Sequence, residues 1–144
     1  LEKLVIGLIK NAIENTPDDG KIEVKVKNRD SAVAFSVHDY GVGIVEEHRQ
    51  RIFEGFFPTQ DTMGYSSKNP FDFNAGGKGA DLLRLKIFSE RFGFKLDVSS
   101  ARCRYIPLST DMCPGGISKC PYCQGIEDCY GSGETTFTAV FESP

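Results

Sequence analysis

Asp39, Gly41 and Gly43 stand closest to usable chemistry in this chain. They follow an apolar run at residues 33–37 that reads as a strand. Val33, Phe35 and Val37 alternate there, and Asp39 falls on the same parity, so the strand aims a carboxylate at its core side. Two glycines just beyond it permit a sharp turn and a close approach to the backbone. An inward acid followed by Gly-x-Gly suits a planar ring that bears a donor: the carboxylate accepts from the ring's amine, and bare backbone makes room. A hairpin turn behind an Asp would use the same residue types.

Three other groups could do chemistry. Asn11 lies at the margin of an apolar helical stripe, one turn after Gly7, where an amide could reach a bound ion. Gly76, Gly77 and Gly79, with Lys78 among them, precede a helical pattern at residues 80–92. Free backbone N–H groups and the helix dipole make such a start an anion site. Finally, all five cysteines fall between Cys103 and Cys129. An odd number clustered in one stretch fits a local metal site or local bridges better than a framework for the whole fold. Cys120-Pro121-Tyr122-Cys123 has the C-x₂-C spacing of a zinc knuckle. Cys113 and Cys129 complete a four-thiolate set for Zn²⁺, with Cys103 as a spare able to replace one of them. Two disulfides, an iron–sulfur cluster and free thiols on a loop are the alternatives.

The elements that position these groups read as follows. Leu1, Leu4, Val5, Leu8, Ile9, Ala12 and Ile13 make one face of a helix over residues 1–15, stopped by Thr16-Pro17-Asp18-Asp19-Gly20. Residues 21–27 alternate into a half-buried strand, residues 28–30 turn, and residues 32–38 return. A short helix is expected at 46–53 and a polar loop without periodicity at 59–78. Gly93 ends the helix at 80–92. Phe94, Leu96 and Val98 share a face of a third strand, and Phe137, Ala139 and Phe141 a face of a fourth. Residues 101–133 lie between these two strands as an insertion. They hold so few large apolar residues that a cross-link is expected to order them.

The 144 residues suit one domain, and 40% hydrophobic with 26% charged is ordinary for a soluble globule. A net charge of −3 argues against a nucleic-acid surface and a polybasic membrane patch, and no run is apolar enough to span a bilayer. A cytoplasmic domain without direct membrane contact is expected. Leu1 opens directly into a helical pattern, so the chain is read as a piece of something longer.

The ordered set resembles the catalytic, ATP-binding domain of sensor histidine kinases, within the GHKL ATPases. Leu8-Ile9-Lys10-Asn11-Ala12-Ile13-Glu14-Asn15-Thr16-Pro17 resembles the N box, Asp39-Tyr40-Gly41-Val42-Gly43-Ile44 the G1 box, and Ile52-Phe53-Glu54-Gly55-Phe56-Phe57 the F box. Gly77-Lys78-Gly79-Ala80-Asp81-Leu82 stands in the place of the G2 box, and Gly133-Glu134-Thr135-Thr136-Phe137-Thr138 resembles the closing strand. The resemblance implies an α/β sandwich over residues 1–144, a mixed sheet with helices on one face, truncated before its usual first strand. It implies ATP as ligand, Mg²⁺ on Asn11, the adenine amine on Asp39, Gly41 and Gly43 along the adenine pocket, and Gly77, Lys78 and Gly79 at the phosphates. Residues 55–78 would be a lid. The implied partners are a helical domain bearing the phosphoacceptor histidine and, through it, a response regulator. Gly7, Asn15, Gly55 and Asp81 depart from the family pattern. Gly7, Asn15 and Asp81 leave open a degenerate module without catalysis, as the cysteines leave open a metal- or redox-sensing module. The cysteine stretch is expected to lie outside the nucleotide pocket, so that its loss would spare ATP binding.

Overall fold

The computed structural model describes residues 1–49 and 80–143, with residues 80–83 described by their backbone. The expected F box, the lid at 55–78, the second half of the helix at 46–53, and Gly77, Lys78 and Gly79 lie outside the described residues. The described chain runs α1 (Glu2–Asn15), β1 (Ile22–Arg29), β2 (Ala32–Asp39), α2 (Glu46–Arg49), α3 (Ala80–Phe92), β3 (Lys95–Ala101), a 3₁₀ turn (Ile117–Lys119), α4 (Ile126–Tyr130) and β4 (Glu134–Glu142).

The four strands form one sheet in the order β1-β2-β4-β3. Among the described residues every strand pair is antiparallel, in place of the mixed sheet expected from the resemblance. Among the described residues the single parallel pairing is an isolated bridge between Asp18 and Gly116. β1 and β2 are joined by a two-residue turn at Asp30 and Ser31, later than expected, because Asn28 and Arg29 continue the ladder opposite Val33 and Ala32. Asp30 takes a positive φ of 38°, which a short polar side chain tolerates better than most.

One face of the sheet carries the core. Leu4, Leu8 and Ala12 of α1 meet Phe35 and Val37 of β2, Phe137 and Ala139 of β4, Leu85 of α3, and Ile44. The helix stripe is as expected except at its ends, for Leu1 is 85% exposed. Gly7 is buried because α3 crosses it closely: a Cβ there would lie 3.1 Å from a Leu85 methyl. α3 ends as Gly93 turns to φ 72° and Phe94 N–H reaches back to Ser89 C=O at 3.1 Å. β1 corrects the expectation of a half-buried strand. It is the sheet edge, and α1 packs on its neighbour β2, so Val24 and Val26 stay 48% and 67% exposed.

Phe137 is at the centre of this core, 1% exposed. Phe137→Ala is expected to cost about 3–5 kcal/mol of stability, read as a lowered urea midpoint with an unchanged slope.

Candidate functional site

The C-terminal end of β2 brings the sequence candidates together. One row of the sheet crosses all four strands there: Ile22 beside Asp39, Asp39 beside Thr135, and Thr135 beside Ser100. All four lie on the core side of their strands, as the parity of Asp39 requires. Asp39 is 1% exposed, and its Oδ1 accepts from Gly41 N–H at 3.1 Å. That bond fixes the plane of the carboxylate at the entrance to the glycine loop.

The loop of residues 40–44 is held by hydrogen bonds on three sides. Val42 N–H donates to Asn15 C=O at 2.9 Å, where α1 ends, and Val42 C=O accepts from Cys103 N–H at 2.7 Å. Ile44 N–H donates to Ser100 Oγ at 2.8 Å, and that hydroxyl lies 2.8 Å from Thr135 Oγ1. The glycines answer to this crowding. A Cβ on Gly41 would sit 2.0 Å from Asn15 O, and one on Gly43 would sit 1.9 Å from Ala101 O at a φ of 69°. The room expected for a ring at these two α-carbons is therefore filled by protein backbone.

Asn11 is half-buried on α1, one turn before Asn15. Asn15 Nδ2 donates to Asn11 C=O at 2.7 Å and to Asn11 Oδ1 at 3.3 Å. Asn11 thus reaches the loop through Asn15, whose carbonyl holds Val42. Oδ1 is an oxygen donor of the kind Mg²⁺ takes, and the Asn15 amide orients it. Asp81 falls in the first turn of α3. His38, read as a plain sheet residue, faces the other way and stacks on Tyr40 with ring centroids 4.4 Å apart.

Ser100 and Thr135 were not among the sequence candidates. Their signal was present in a limited form: each is a hydroxyl at a core-parity position at the end of an apolar alternation. What joins them to the loop is the strand order, which local spacing does not encode.

The cysteine segment is tied into the fold by more than its thiols. The segment from Arg102 to Gly133 follows a defined path with free thiols on Cys103, Cys113, Cys120, Cys123 and Cys129. Ile106 and Ile117 supply buried apolar anchors, and Cys103 and Cys113 pack against the cluster of Val42 and Ile106. α4 is tied at Asp128, which accepts from Gln124 N–H at 3.0 Å and Tyr105 O–H at 2.9 Å and pairs with Arg104; these partners hold its carboxyl below the usual range. Burial, then the neighbouring Cys120, pushes Cys123 up to about 12, and burial pushes Cys129 up to about 11. Among the described residues no three His, Cys, Asp or Glu side chains form a group ready to hold a metal ion, so the zinc set expected at Cys113, Cys120, Cys123 and Cys129 is not preassembled.

Nor does this segment stand apart from the rest of the site. Besides Cys103 on Val42, Arg102 donates to Gly43 C=O at 3.3 Å. The same guanidinium bonds the carbonyls of Ile106 at 2.8 Å, Leu108 at 3.2 Å and Asp111 at 3.2 Å. Tyr130 lies 5.8 Å from the Tyr40 ring and donates to Asp19 C=O at 3.0 Å. Asp18 N–H donates to Gly115 C=O at 2.8 Å.

Residues 1–141 match the family model described as histidine kinase-, DNA gyrase B-, and HSP90-like ATPase. Among curated proteins the chain is 41% identical over 69 residues to the adaptive-response sensory kinase SasA of Rippkaea orientalis, covering 45% of this chain and 18% of that one. It is 38% identical over 61 residues to sporulation kinase A of Bacillus subtilis, covering 42% and 10%. The chain thus spans less than a fifth of these two relatives. Among solved structures the fold is like that of the mycobacterial sensor histidine kinase MprB, with a TM-score of 0.59 at 20% identity over 99% of this chain and 70% of the other. Full-length ShkA in complex with AMPPNP gives a TM-score of 0.60 at 20% identity, over 100% and 22%.

Gly43→Ala adds a clash with backbone to a φ that costs a non-glycine residue about 1–3 kcal/mol. A loss of at least that size is expected in chemical denaturation, with Gly93→Ala, which meets nothing within 4 Å, as the control for φ alone.

Proposed function

Because the chain belongs to the histidine kinase-, DNA gyrase B- and HSP90-like ATPases, we propose that it is the ATP-binding catalytic domain of a sensor histidine kinase. It holds MgATP and presents the γ-phosphate to a histidine on a separate helical domain, from which a response regulator is served in the cytoplasm. The observation that carries this reading is Asp39: a buried carboxylate, fixed by Gly41 N–H, at the end of β2 and beside the foot of α1.

Each residue has a role under this reading. Asp39 accepts a hydrogen bond from the adenine amine, in a site dry enough for that bond to discriminate. Gly41 and Gly43 keep the loop pressed against α1 and β3, so that the pocket wall is backbone. Asn11 Oδ1 holds Mg²⁺, and the Asn15 amide orients it. Bound Mg²⁺ neutralises charge on the phosphates. Gly77, Lys78 and Gly79 meet those phosphates ahead of α3, where N–H groups and the dipole favour anions. Phosphoryl transfer of this kind depends chiefly on positioning and charge neutralisation, which fits a site with few reactive side chains. Residues 101–133 are an insertion within the family fold. Zn²⁺ at Cys113, Cys120, Cys123 and Cys129 belongs to the proposal; the C-x₂-C spacing and the clustering of all five cysteines between Cys103 and Cys129 support it.

Asp39→Asn keeps the size but turns one acceptor toward adenine into a donor. A loss of about 1.5–3 kcal/mol is expected, roughly ten- to a hundredfold in Kd for MgATP by calorimetry. A thermal melt checks that the variant is folded. Unchanged affinity in a folded variant would remove the adenine assignment, and a parent chain that gives no heat at millimolar MgATP would remove the kinase reading. Asp81 places an acid in the first turn of α3. Asp81→Gly is expected to tighten ATP more than adenosine, because the acid repels phosphates. An equal change for both ligands would mean that the phosphates do not meet this turn.

A further inference from the structure

We propose that the cysteine-rich segment is a binding site for a soft divalent cation, zinc, and that its occupancy sets the position of the loop at residues 40–44. Its consequence for nucleotide affinity rests on the MgATP reading above. Its consequence for the loop does not.

The geometry points to both halves. Five free thiols lie in one short stretch of the fold. Cys120 and Cys123 form a C-x₂-C pair between the 3₁₀ turn, which Cys120 caps, and α4, which carries Cys129, and Cys103 and Cys113 share a second cluster around Val42 and Ile106. Clustered sulfur donors select a soft or borderline cation, and zinc takes four of them in a tetrahedron. Since the donors are not preassembled, a fourth ligand has to come from the second cluster, either Cys113 or Cys103. Each is tied to the glycine loop. Cys103 N–H holds Val42 C=O. Cys113 packs on the cluster formed by Val42 and Ile106, and two residues later Gly115 C=O holds Asp18 N–H in the turn after α1.

Closing four thiolates on one ion therefore pulls on Val42. Arg102 spreads that pull, because one guanidinium bonds Gly43 C=O and three carbonyls of the cysteine segment. Gly133 closes the far end, where a Cβ would lie 2.7 Å from Gly41 O and 2.8 Å from Cys103 N. Backbone packed this closely moves as a unit. A ligand that favours one arrangement of the segment shifts the loop with it, and by linkage a ligand of the loop changes affinity for zinc by the same factor.

The experiment takes the whole chain, reduced and freed of metal by chelation, and titrates it with zinc alone against a chromophoric competitor. One zinc per chain is expected, with four of the five thiols becoming unreactive to a thiol reagent. Hydrogen exchange at residues 40–44 should slow on zinc binding. The Kd for a non-hydrolysable MgATP analogue should shift by about 5- to 150-fold between metal-free and loaded protein. Cys120→Ser with Cys123→Ser should abolish uptake and the zinc response of the loop. Arg102→Gln should keep zinc uptake and reduce its effect on exchange at 40–44. No uptake, or five thiols that stay reactive, overturns the site. A chain that, isolated before any reductant or chelator is added, is free of metal and short by four hydrogens overturns it in favour of two disulfides. Uptake with unchanged exchange at 40–44 overturns the coupling. If the analogue binds in neither state, the MgATP reading fails, while the zinc and exchange results still decide this proposal.

Discussion

The two backbone hydrogen bonds of Val42 hold the site together. Its N–H is taken by the last residue of α1 and its C=O by the residue that opens the cysteine segment. A buried loop must satisfy its polar backbone groups, because an unpaired one costs about as much as a lost hydrogen bond. Here that requirement is met by three elements distant in sequence: α1, β3 and the cysteine segment. Asp39 keeps its place because the loop that starts one residue later cannot move without breaking those bonds. The glycines follow from the same constraint, since any side chain at 41 or 43 would occupy space already held by a carbonyl.

This arrangement joins parts of the chain that look separate in one dimension. The cysteine segment adds a wall to the loop through Arg102, Cys103, Tyr130 and Gly133, and it meets the turn after α1 through Asp18 and Asp19. Its position in the sequence, between two strands, suggested an appendage. Its position in the fold is explained by β3 and β4 being neighbours, with Ser100 beside Thr135. The connection between them must begin and end beside that row, and that row also holds Asp39.

Much of the secondary structure was legible, and for a local reason. The 3.6-residue spacing of Leu4, Leu8 and Ala12 and the alternation of Phe35, Val37 and Asp39 are consequences of backbone geometry that any stretch carries alone. The stop at Gly93 was legible for the same reason. The departures lay where neighbours decide. β1 shows a clean apolar alternation, yet Val24 and Val26 are exposed, because burial depends on what covers the edge. Gly7 departs from the family pattern one turn before Asn11. It is a contact point for Leu85, since two helices can approach closely only where one lacks a side chain.

By itself the sequence determined α1, α3 and the four strands, the inward carboxylate at Asp39 and the candidacy of Asn11, because these depend on residue type and short spacing. Clustering of the cysteines was also plain from the chain. Only the tertiary structure decided that the sheet is antiparallel, that Ser100 and Thr135 support the loop, and that the glycines yield to backbone instead of making an open slot. It also decided that the cysteine segment leans on the same loop. Each of these depends on which distant strands become neighbours, and that is settled by burial of the whole core, not by any local pattern.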